Sequence, residues 1–438
     1  MDKIPASGNL HEDNTRSIRS LNFNQTIRVP EELKKRHLKL LLMLHSSQQN
    51  TQQSPWIRYS QQLQSTVDQV RRSTTDWLFS KVLVNEHGLQ RYLISFKHFF
   101  LLDYGDWAVN FIHECRQWQR RSIERSFNNS VKHNIEASKS KTTLIFRKQE
   151  LNTLLVKATQ GTEAEDQLDG YSLLVQESQQ HDYPFSDLLL SDVNAVLTFK
   201  LEWPIDLFLN ESDLENYSNI WCFLIGLKNT QIQLNRLWKT LRTTRGDKGY
   251  NEDGHQERVV WRLRGLMSFW VDTFWNHLQI HVISSHHKQL IDSTTTIKDN
   301  KKGKLEFEDI QEAHSHFLDN LISGCLLSTD CSIIIHRILK SCSAFCELME
   351  RLSEDGKWQQ SKRRKMTKTA ADIVNQWTNN TSEANWIDDV KKIDKDFLLL
   401  TEKFFMLASN QAPEVKSSGR LDALLMQLDH NNWYSGRK

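Results

Sequence analysis

Residues 89–114 read LQRYLISFKHFFLLDYGDWAVNFIHE and carry a strongly periodic apolar pattern. The first half places large apolar side chains three and four positions apart, at Leu89, Tyr92, Leu93, Phe96, Phe99 and Phe100. This spacing puts all of them on one face of an α-helix. We therefore predict a helix here and a break at Gly105. A second helix follows, capped by Asp106 and carrying Trp107, Phe111 and Ile112.

The composition agrees with long helices. The 438 residues include 15 Gly and 6 Pro, which together are less than half of what average usage of roughly 7% and 5% gives. Tight turns consume both residue types, so the chain has few of them. A β-sandwich, a β-barrel and a Gly-rich nucleotide fold are all disfavoured. The formal net charge of +2 gives no global reason to bind nucleic acid or an anionic membrane.

Helical spacing recurs on both sides of residues 89–114. Pro30, followed by Glu31 and Glu32, is typical of a helix start. A capping box at Ser212–Glu215 is predicted to open a long helix. Its apolar side holds Leu214, Tyr217, Trp221, Leu224, Leu234, Trp238 and Leu241. Another long helix is predicted over residues 261–283, and four more follow in the C-terminal third.

Few segments depart from this pattern. LTFKLEWPIDLFL, residues 197–209, is the one stretch with strand or extended character, and Pro204 prevents simple helix continuation there. Residues 243–256 and 293–304 are predicted loops. The predicted fold class is all-α, as elongated, stacked helical bundles joined by polar loops.

The six cysteines form no CxxC pair, and most lie in apolar helical patterns. No apolar run approaches the roughly 18–20 residues of a membrane span, and the N-terminus lacks the apolar stretch of a signal peptide. These features predict reduced, buried thiols in a cytosolic protein.

Two clusters of residues contain potential metal ligands. His277 and His281 stand four apart on a helix, which suits zinc, but no thiol or acid completes a set with them and their neighbours His286 and His287. Surface or interface histidines are the favoured interpretation. The aspartates at 388, 389, 394 and 396 resemble a magnesium motif of all-α isoprenoid synthases. The spacing of these aspartates along the helix differs from the spacing that the motif needs to bind magnesium, and lysines lie between them. A solvated pattern of charges is therefore favoured.

No other motif points to catalysis. Gly246, Gly249 and Gly254 follow no predicted strand and form no phosphate-binding loop. Nucleophile motifs of Ser or Cys are absent. The basic run at residues 362–365 is either a solvated loop or a nuclear or anionic contact. We therefore predict no catalytic, metal-binding or cofactor-binding residue, and a scaffold or binding protein rather than an enzyme.

Several segments taken together resemble the γ-tubulin complex proteins, the grip-motif family. Residues 89–114 look like the end of the first grip domain, with its helix, LLxxGD turn and second helix. Residues 197–238 look like the entry to the second. Residues 260–283, 307–327, 333–348 and 424–435 are similar to the helices that follow, in family order.

This resemblance implies a division of the chain. Residues 1–28 are predicted to be a disordered lead-in. Residues 29–118 would be the C-terminal part of the first grip domain, which is much shorter than usual. Residues 119–196 would be connecting helices and loops, and residues 197–438 would form the second grip domain.

The resemblance also implies a function. The second grip domain would bind γ-tubulin, and the first would pack side by side against other family members. The array of γ-tubulins would template microtubule nucleation, in the cytoplasm and cytoskeleton, at microtubule-organising centres and spindle poles. A helical scaffold or tethering adaptor unrelated to tubulin, and an all-α enzyme, are the alternatives.

Tubulins are acidic, so basic and aromatic groups exposed on the second domain are the interface candidates. Arg262 and Arg264 lie in the helix that resembles the family, and both are too polar for a core. We predict them as γ-tubulin contacts, with His277 and His281 as weaker candidates.

Overall fold

The computed structural model describes residues 30–49, 55–77, 88–130, 140–176, 183–190, 194–203, 205–243, 254–299, 307–354, 385–411, 420–430, 434 and 436. Some predictions fall outside these residues and stay predictions. They concern the lead-in at residues 1–28, Pro204, Gly246, Gly249 and the basic run at residues 362–365.

Helices make up most of the described chain, which confirms the all-α prediction. The α-helices are α1 Glu31–Gln49, α2 Pro55–Trp77, α3 Leu89–Phe99, α4 Gly105–Ser130, α5 Ser140–Thr159, α6 Glu211–Thr243, α7 Gly254–His277, α8 Ser284–Asp299, α9 Phe307–Gly324, α10 Cys331–Glu354, α11 Asn385–Ser409 and α12 Leu421–Leu428. Strands β1 Tyr171–Gln176 and β2 Asn194–Phe199 pair antiparallel, with Leu173 opposite Leu197. A π-helical segment, Leu278–Ile283, joins α7 to α8. Among these described helices, none combines the length and apolar character needed to cross a membrane.

The chain divides into two compact units. The first comprises residues 1–90, 201–210 and 299–311. In it α1 packs on α2, where His37 Nε2 lies 2.8 Å from Ser73 Oγ, and Arg71 forms an ion pair with Glu308. The second unit holds the rest of the chain and the larger core.

An aromatic cluster marks the part of the second unit where α3 meets the sheet. Phe96 is fully buried, and its ring lies edge-on to Phe199 and Tyr217 at centroid distances of 5.1 and 5.2 Å. Tyr171 stands 4.3 Å from Phe99, ring centre to ring centre. Edge-to-face pairs at these distances add to the hydrophobic gain from burial. The predicted apolar face of α3 is therefore a core face.

Helix α6 is the central element of this unit. Every residue from Ile220 to Leu227 is buried, and eight consecutive residues of a helix point in all directions. The helix is accordingly enclosed by β2, α4, α7, α10 and the short 3₁₀ turn Ser186–Leu188. A helix apolar all round belongs in the interior of a large unit.

Two polar side chains on α6 donate hydrogen bonds to backbone oxygens of its neighbours. Ser218 Oγ donates to the Leu197 carbonyl at 2.8 Å, and Asn229 Nδ2 donates to the Leu188 carbonyl at 2.8 Å. Each bond also satisfies a carbonyl outside the helix. Because an unpaired buried polar group is costly, these bonds fix where β2 and the 3₁₀ turn sit on α6.

Gly226 allows the closest approach to α6. A Cβ on Gly226 would lie 2.9 Å from Leu188 Cβ and Cδ1, nearer than real Cβ atoms approach other atoms. The glycine is required here by packing, in a helix interior where it otherwise costs about 1 kcal/mol relative to alanine.

The structure corrects the prediction that residues 197–209 are the one extended stretch. β1 at residues 171–176 is a second strand, which the sequence analysis missed. Of the predicted stretch only residues 197–199 lie in β2, and Ile205–Leu207 is a 3₁₀ turn. The segment YSLLVQ is short, and a short apolar run fits a strand or a helix equally well.

Several helix boundaries also differ from the predictions. α4 begins at Gly105 and α6 at Glu211, so Asp106 and Ser212 lie inside first turns instead of capping them. The break before α4 contains Leu102, which takes the left-handed conformation with φ at 57°. α8 extends to Asp299, into the predicted loop at residues 293–304.

All six cysteines are free and buried, as predicted. Burial raises the pKa of each thiol above its ordinary value, so the reactive thiolate is disfavoured.

His314 is a titratable group in the core of the second unit. It is fully buried on α9, and its Nε2 lies 3.1 Å from the Tyr217 hydroxyl. Burial lowers its pKa from 6.5 to about 4, and the carboxylate of Asp213 opposes this shift only in part. His314 is therefore neutral in the folded protein at neutral pH.

We predict that acid destabilises the fold through His314. Between pH 6.5 and about 4 the unfolded chain binds a proton there and the folded chain does not, so stability falls as the pH is lowered. The full penalty is on the order of 3 kcal/mol. His314→Gln should flatten the dependence of urea unfolding on pH across this range. His316→Gln, at the exposed histidine two positions on, is the control variant. An equal slope in both variants would contradict this role of His314.

We predict that Gly226→Ala lowers the free energy of unfolding by about 1–2 kcal/mol, because the new methyl group must displace Leu188. Gly265→Ala in α7 is the matched control, since a Cβ there meets nothing within 4 Å. The control should be neutral or stabilising by up to about 1 kcal/mol. Denaturant unfolding of both variants measures the difference, and equal effects would show that the contact with Leu188 is unimportant.

Candidate protein-interaction surface

Helix α7 has one buried side and one exposed side. Its buried side is apolar and includes Leu263, Met267, Trp270 and Phe274, at the spacing of a helix packed on a core. The opposite side, which we call the outer face of α7, consists of the exposed residues Arg258, Arg262, Gly265, Phe269 and Asn276.

Arg262 lies on the outer face, as the sequence predicts for a contact residue. Its side chain is 53% exposed and forms an ion pair with Asp394 on α11. The Asp394 side chain is only 11% exposed, and its Oδ1 has no hydrogen-bond partner within the described residues. Arg262 therefore neutralises a mostly buried carboxylate and joins α7 to α11, while part of its guanidinium remains open to solvent.

Arg264 is placed differently. Residues two apart on a helix point about 200° away from each other, so Arg262 and Arg264 cannot both face the same flat partner. The Arg264 Nε donates to the Leu234 carbonyl of α6 at 3.1 Å, and burial lowers the pKa of its guanidinium. Arg264 therefore links α7 to α6.

The two histidines lie at the far end of α7. His277 is buried, and His281 is half-buried within the π-helical segment. Their ring centres are 5.3 Å apart. In the described residues, no group of three or more His, Cys, Asp or Glu side chains is arranged to hold a metal ion.

Next to the outer face is a cavity of about 240 Å³, which we call the α7–α11 groove. Its lining is mostly apolar, from Leu266, Phe269, Trp270, Phe397, Leu398 and Leu428. His430 and Tyr434 supply polar groups at one side, and Tyr434 is held by a stack on Phe405 at 4.9 Å. An apolar cleft with a few polar groups is the usual form of a binding site.

Phe269 and Gly265 are the features that the sequence analysis overlooked. Phe269 is 47% exposed, although it resembles a core residue in the sequence. Gly265 interrupts the middle of a good helical pattern, where glycine is less favourable than alanine. That interruption is the signal that could have drawn attention to the surface.

A comparison with protein families matches residues 89–434 to the family model "Gamma tubulin complex component C-terminal". The outer face of α7 and the α7–α11 groove both lie inside the matched range. The ordered helices of the second unit therefore correspond to a known family domain.

Individual relatives are distant. Gamma-tubulin complex component 4 of Homo sapiens is 25% identical over 288 residues, which is 65% of this chain and 41% of the human protein. Gamma-tubulin complex component 4 of Arabidopsis thaliana is 25% identical over 397 residues, 86% of this chain and 48% of the plant protein. The gamma-tubulin complex component 2 homolog of Drosophila melanogaster is 21% identical over 282 residues, 61% of this chain and 30% of the fly protein. The chain thus spans half or less of the length of these curated relatives.

We predict that Arg262→Ala destabilises the protein by about 1–2 kcal/mol, because it leaves the Asp394 carboxylate without its cation. The expected cost is below that of a fully buried pair since Arg262 is half exposed. Urea unfolding of the single variants and of Arg262→Ala with Asp394→Ala gives the coupling energy, which we expect near 1 kcal/mol.

Lys392→Ala, at an exposed lysine of α11, is the control for loss of a surface charge and should change stability by less than about 0.5 kcal/mol. A coupling energy of zero between Arg262 and Asp394 would contradict the structural role of this ion pair.

Proposed function

The chain belongs to the γ-tubulin complex component family, since the family's C-terminal model matches residues 89–434, and from this premise we propose that it is a non-enzymatic, γ-tubulin-binding component of a γ-tubulin complex. The family match carries the proposal. The mostly helical fold and the exposed surface on α7 support it.

The proposed mechanism is positional. Each component would hold one γ-tubulin, and components packed side by side would array their γ-tubulins as a template for αβ-tubulin. This preorganisation lowers the free-energy cost of forming a microtubule nucleus, because the γ-tubulins have already lost translational and rotational freedom before αβ-tubulin adds. Under this proposal the chain needs no cofactor, and any bound nucleotide belongs to tubulin.

We propose the cytoplasm and cytoskeleton as the location, at microtubule-organising centres and spindle poles, with other family members as lateral partners. Family membership supports this location and these partners. Residues 197–438 remain our proposed γ-tubulin-binding domain.

Among the sequence-predicted contacts, Arg262 and His281 present exposed or half-exposed side chains and suit direct contact best. Arg264 and His277 are more enclosed, so we propose that they support the surface from within. Charged groups at the rim of an interface act mainly on the association rate and on its dependence on salt.

We predict that the full chain forms a 1:1 complex with γ-tubulin in size-exclusion chromatography. Because basic groups are expected to contribute, raising the salt from 50 to 300 mM should weaken the complex, mainly by slowing association. Biolayer interferometry measures both rates.

αβ-Tubulin is the control partner and should bind more weakly than γ-tubulin. Absence of any γ-tubulin complex at tens of micromolar, with a chain that unfolds cooperatively, would refute the proposed function. A tethering adaptor unrelated to tubulin would then be the better hypothesis.

A further inference from the structure

The buried sides of α7 and α8 are out of step by one residue. Along α7 and into the π-helical segment, buried positions follow the α-helical spacings of four, three and four residues, at Met267, Val271, Phe274 and Leu278. The same spacings recur along α8, at Ile283, His287, Leu290 and Thr294. Leu278 and Ile283, however, are five residues apart. Because an α-helix turns by about 100° per residue, one extra residue would rotate the buried side of a continuous helix away from the core.

The π-helical segment Leu278–Ile283 absorbs this extra residue. The Ser284 N–H donates to the Gln279 carbonyl, five residues earlier, where an α-helix would use the carbonyl four residues earlier. The wider turn keeps the buried sides of α7 and α8 directed at the core. Ile280 lies in this turn and is 62% exposed, although it is a large apolar residue. Ile280 therefore adds little to the core.

A second irregular backbone feature is bonded to this segment. Gln279 Nε2 donates to the Leu101 carbonyl at 3.3 Å, in the turn between α3 and α4. The next residue, Leu102, is buried and has φ at 57°, a left-handed conformation that is unfavourable for residues other than glycine. Nearby, His287 Nε2 of α8 lies 3.4 Å from the Leu93 carbonyl oxygen of α3. Two departures from regular backbone thus meet at one hydrogen bond.

The core does not require the wider turn. If Ile280 were absent, Leu278 and Ile283 would be four residues apart, and one continuous α-helix would direct both buried sides at the core. The π-helical pattern is therefore tolerated by the packing and not imposed by it. Short π-helical segments inside α-helices occur frequently at functional sites.

We propose that residues 278–283 form a conformational joint, whose backbone hydrogen bonds open and re-form independently of α7 and α8. The joint lets α7 and α8 bend relative to each other while the buried side of each stays in the core. Its opening is coupled to the turn between α3 and α4 through the bond from Gln279 to Leu101. Segments of low local stability are the ones that move in folded proteins. This proposal does not depend on γ-tubulin binding.

Hydrogen–deuterium exchange of the full chain at neutral pH tests the joint. We expect the amides of residues 279–284 to exchange roughly tenfold faster than those of residues 267–274 and 287–294 in the flanking helices. Deletion of Ile280 should slow exchange in the joint to the rate of the flanking helices and leave the melting temperature unchanged or raised. Gln279→Ala should speed exchange in the joint about threefold, because the bond to the Leu101 carbonyl is lost.

Deletion of Asn235 is the matched control. Asn235 is also exposed, but it lies in α6, which is a regular α-helix from Glu211 to Thr243. Its deletion should turn Leu237 and Leu241 away from the core and lower the melting temperature by about 10 °C or more.

Three results would overturn the proposal. In the first, residues 279–284 of the unmodified chain exchange as slowly as the flanking helices. In the second, deletion of Ile280 destabilises the chain as much as deletion of Asn235 does. In the third, Gln279→Ala leaves exchange in the joint unchanged, so that the joint is not coupled to the turn at Leu101.

Discussion

The enclosure of α6 is the constraint on which the second unit depends. From Ile220 to Leu227 every residue is buried, so each direction around the helix must be filled by another element. Protein interiors are close-packed, and a gap on any side would cost the contacts that line it. Packing on α6 therefore determines where its neighbours lie. It also determines which side of each neighbour faces solvent.

The outer face of α7 follows from this packing. Leu263, Met267, Trp270 and Phe274 are buried, and the periodicity of the helix then turns the opposite side to solvent. α11 packs against α7 and α10, and Arg262 meets Asp394 at the junction of α7 with α11. The groove between α7 and α11 is thus a consequence of how the core is built.

Much of the fold could be predicted because the signals are local. The spacing of Phe96, Phe99 and Phe100 identified a helix and its buried face correctly. Tertiary contacts decide the remaining features. The predicted apolar side of α6 includes Trp238, which is 38% exposed and has the Arg242 guanidinium 5.2 Å from its ring centre. The complete burial of residues 220–227 comes from the surrounding elements, which periodicity within one helix does not reveal.

The candidate site shows the same division between local and tertiary information. Charge predicts Arg262 and Arg264 equally well as contact residues. In the structure the two side chains point in different directions, so Arg262 is exposed and Arg264 bonds to α6. Phe269 looked like its neighbours Trp270 and Phe274, because composition does not tell an outward aromatic residue from an inward one. Helix phase does so once the core side is known.

Two glycines, Gly226 in α6 and Gly265 in α7, lie inside long helices. Each lowers the intrinsic stability of its helix by about 1 kcal/mol relative to alanine. For Gly226 the reason is visible in Leu188, 2.9 Å from where its Cβ would be. For Gly265 the described chain offers no such atom, and its neighbour Leu266 lines the apolar α7–α11 groove.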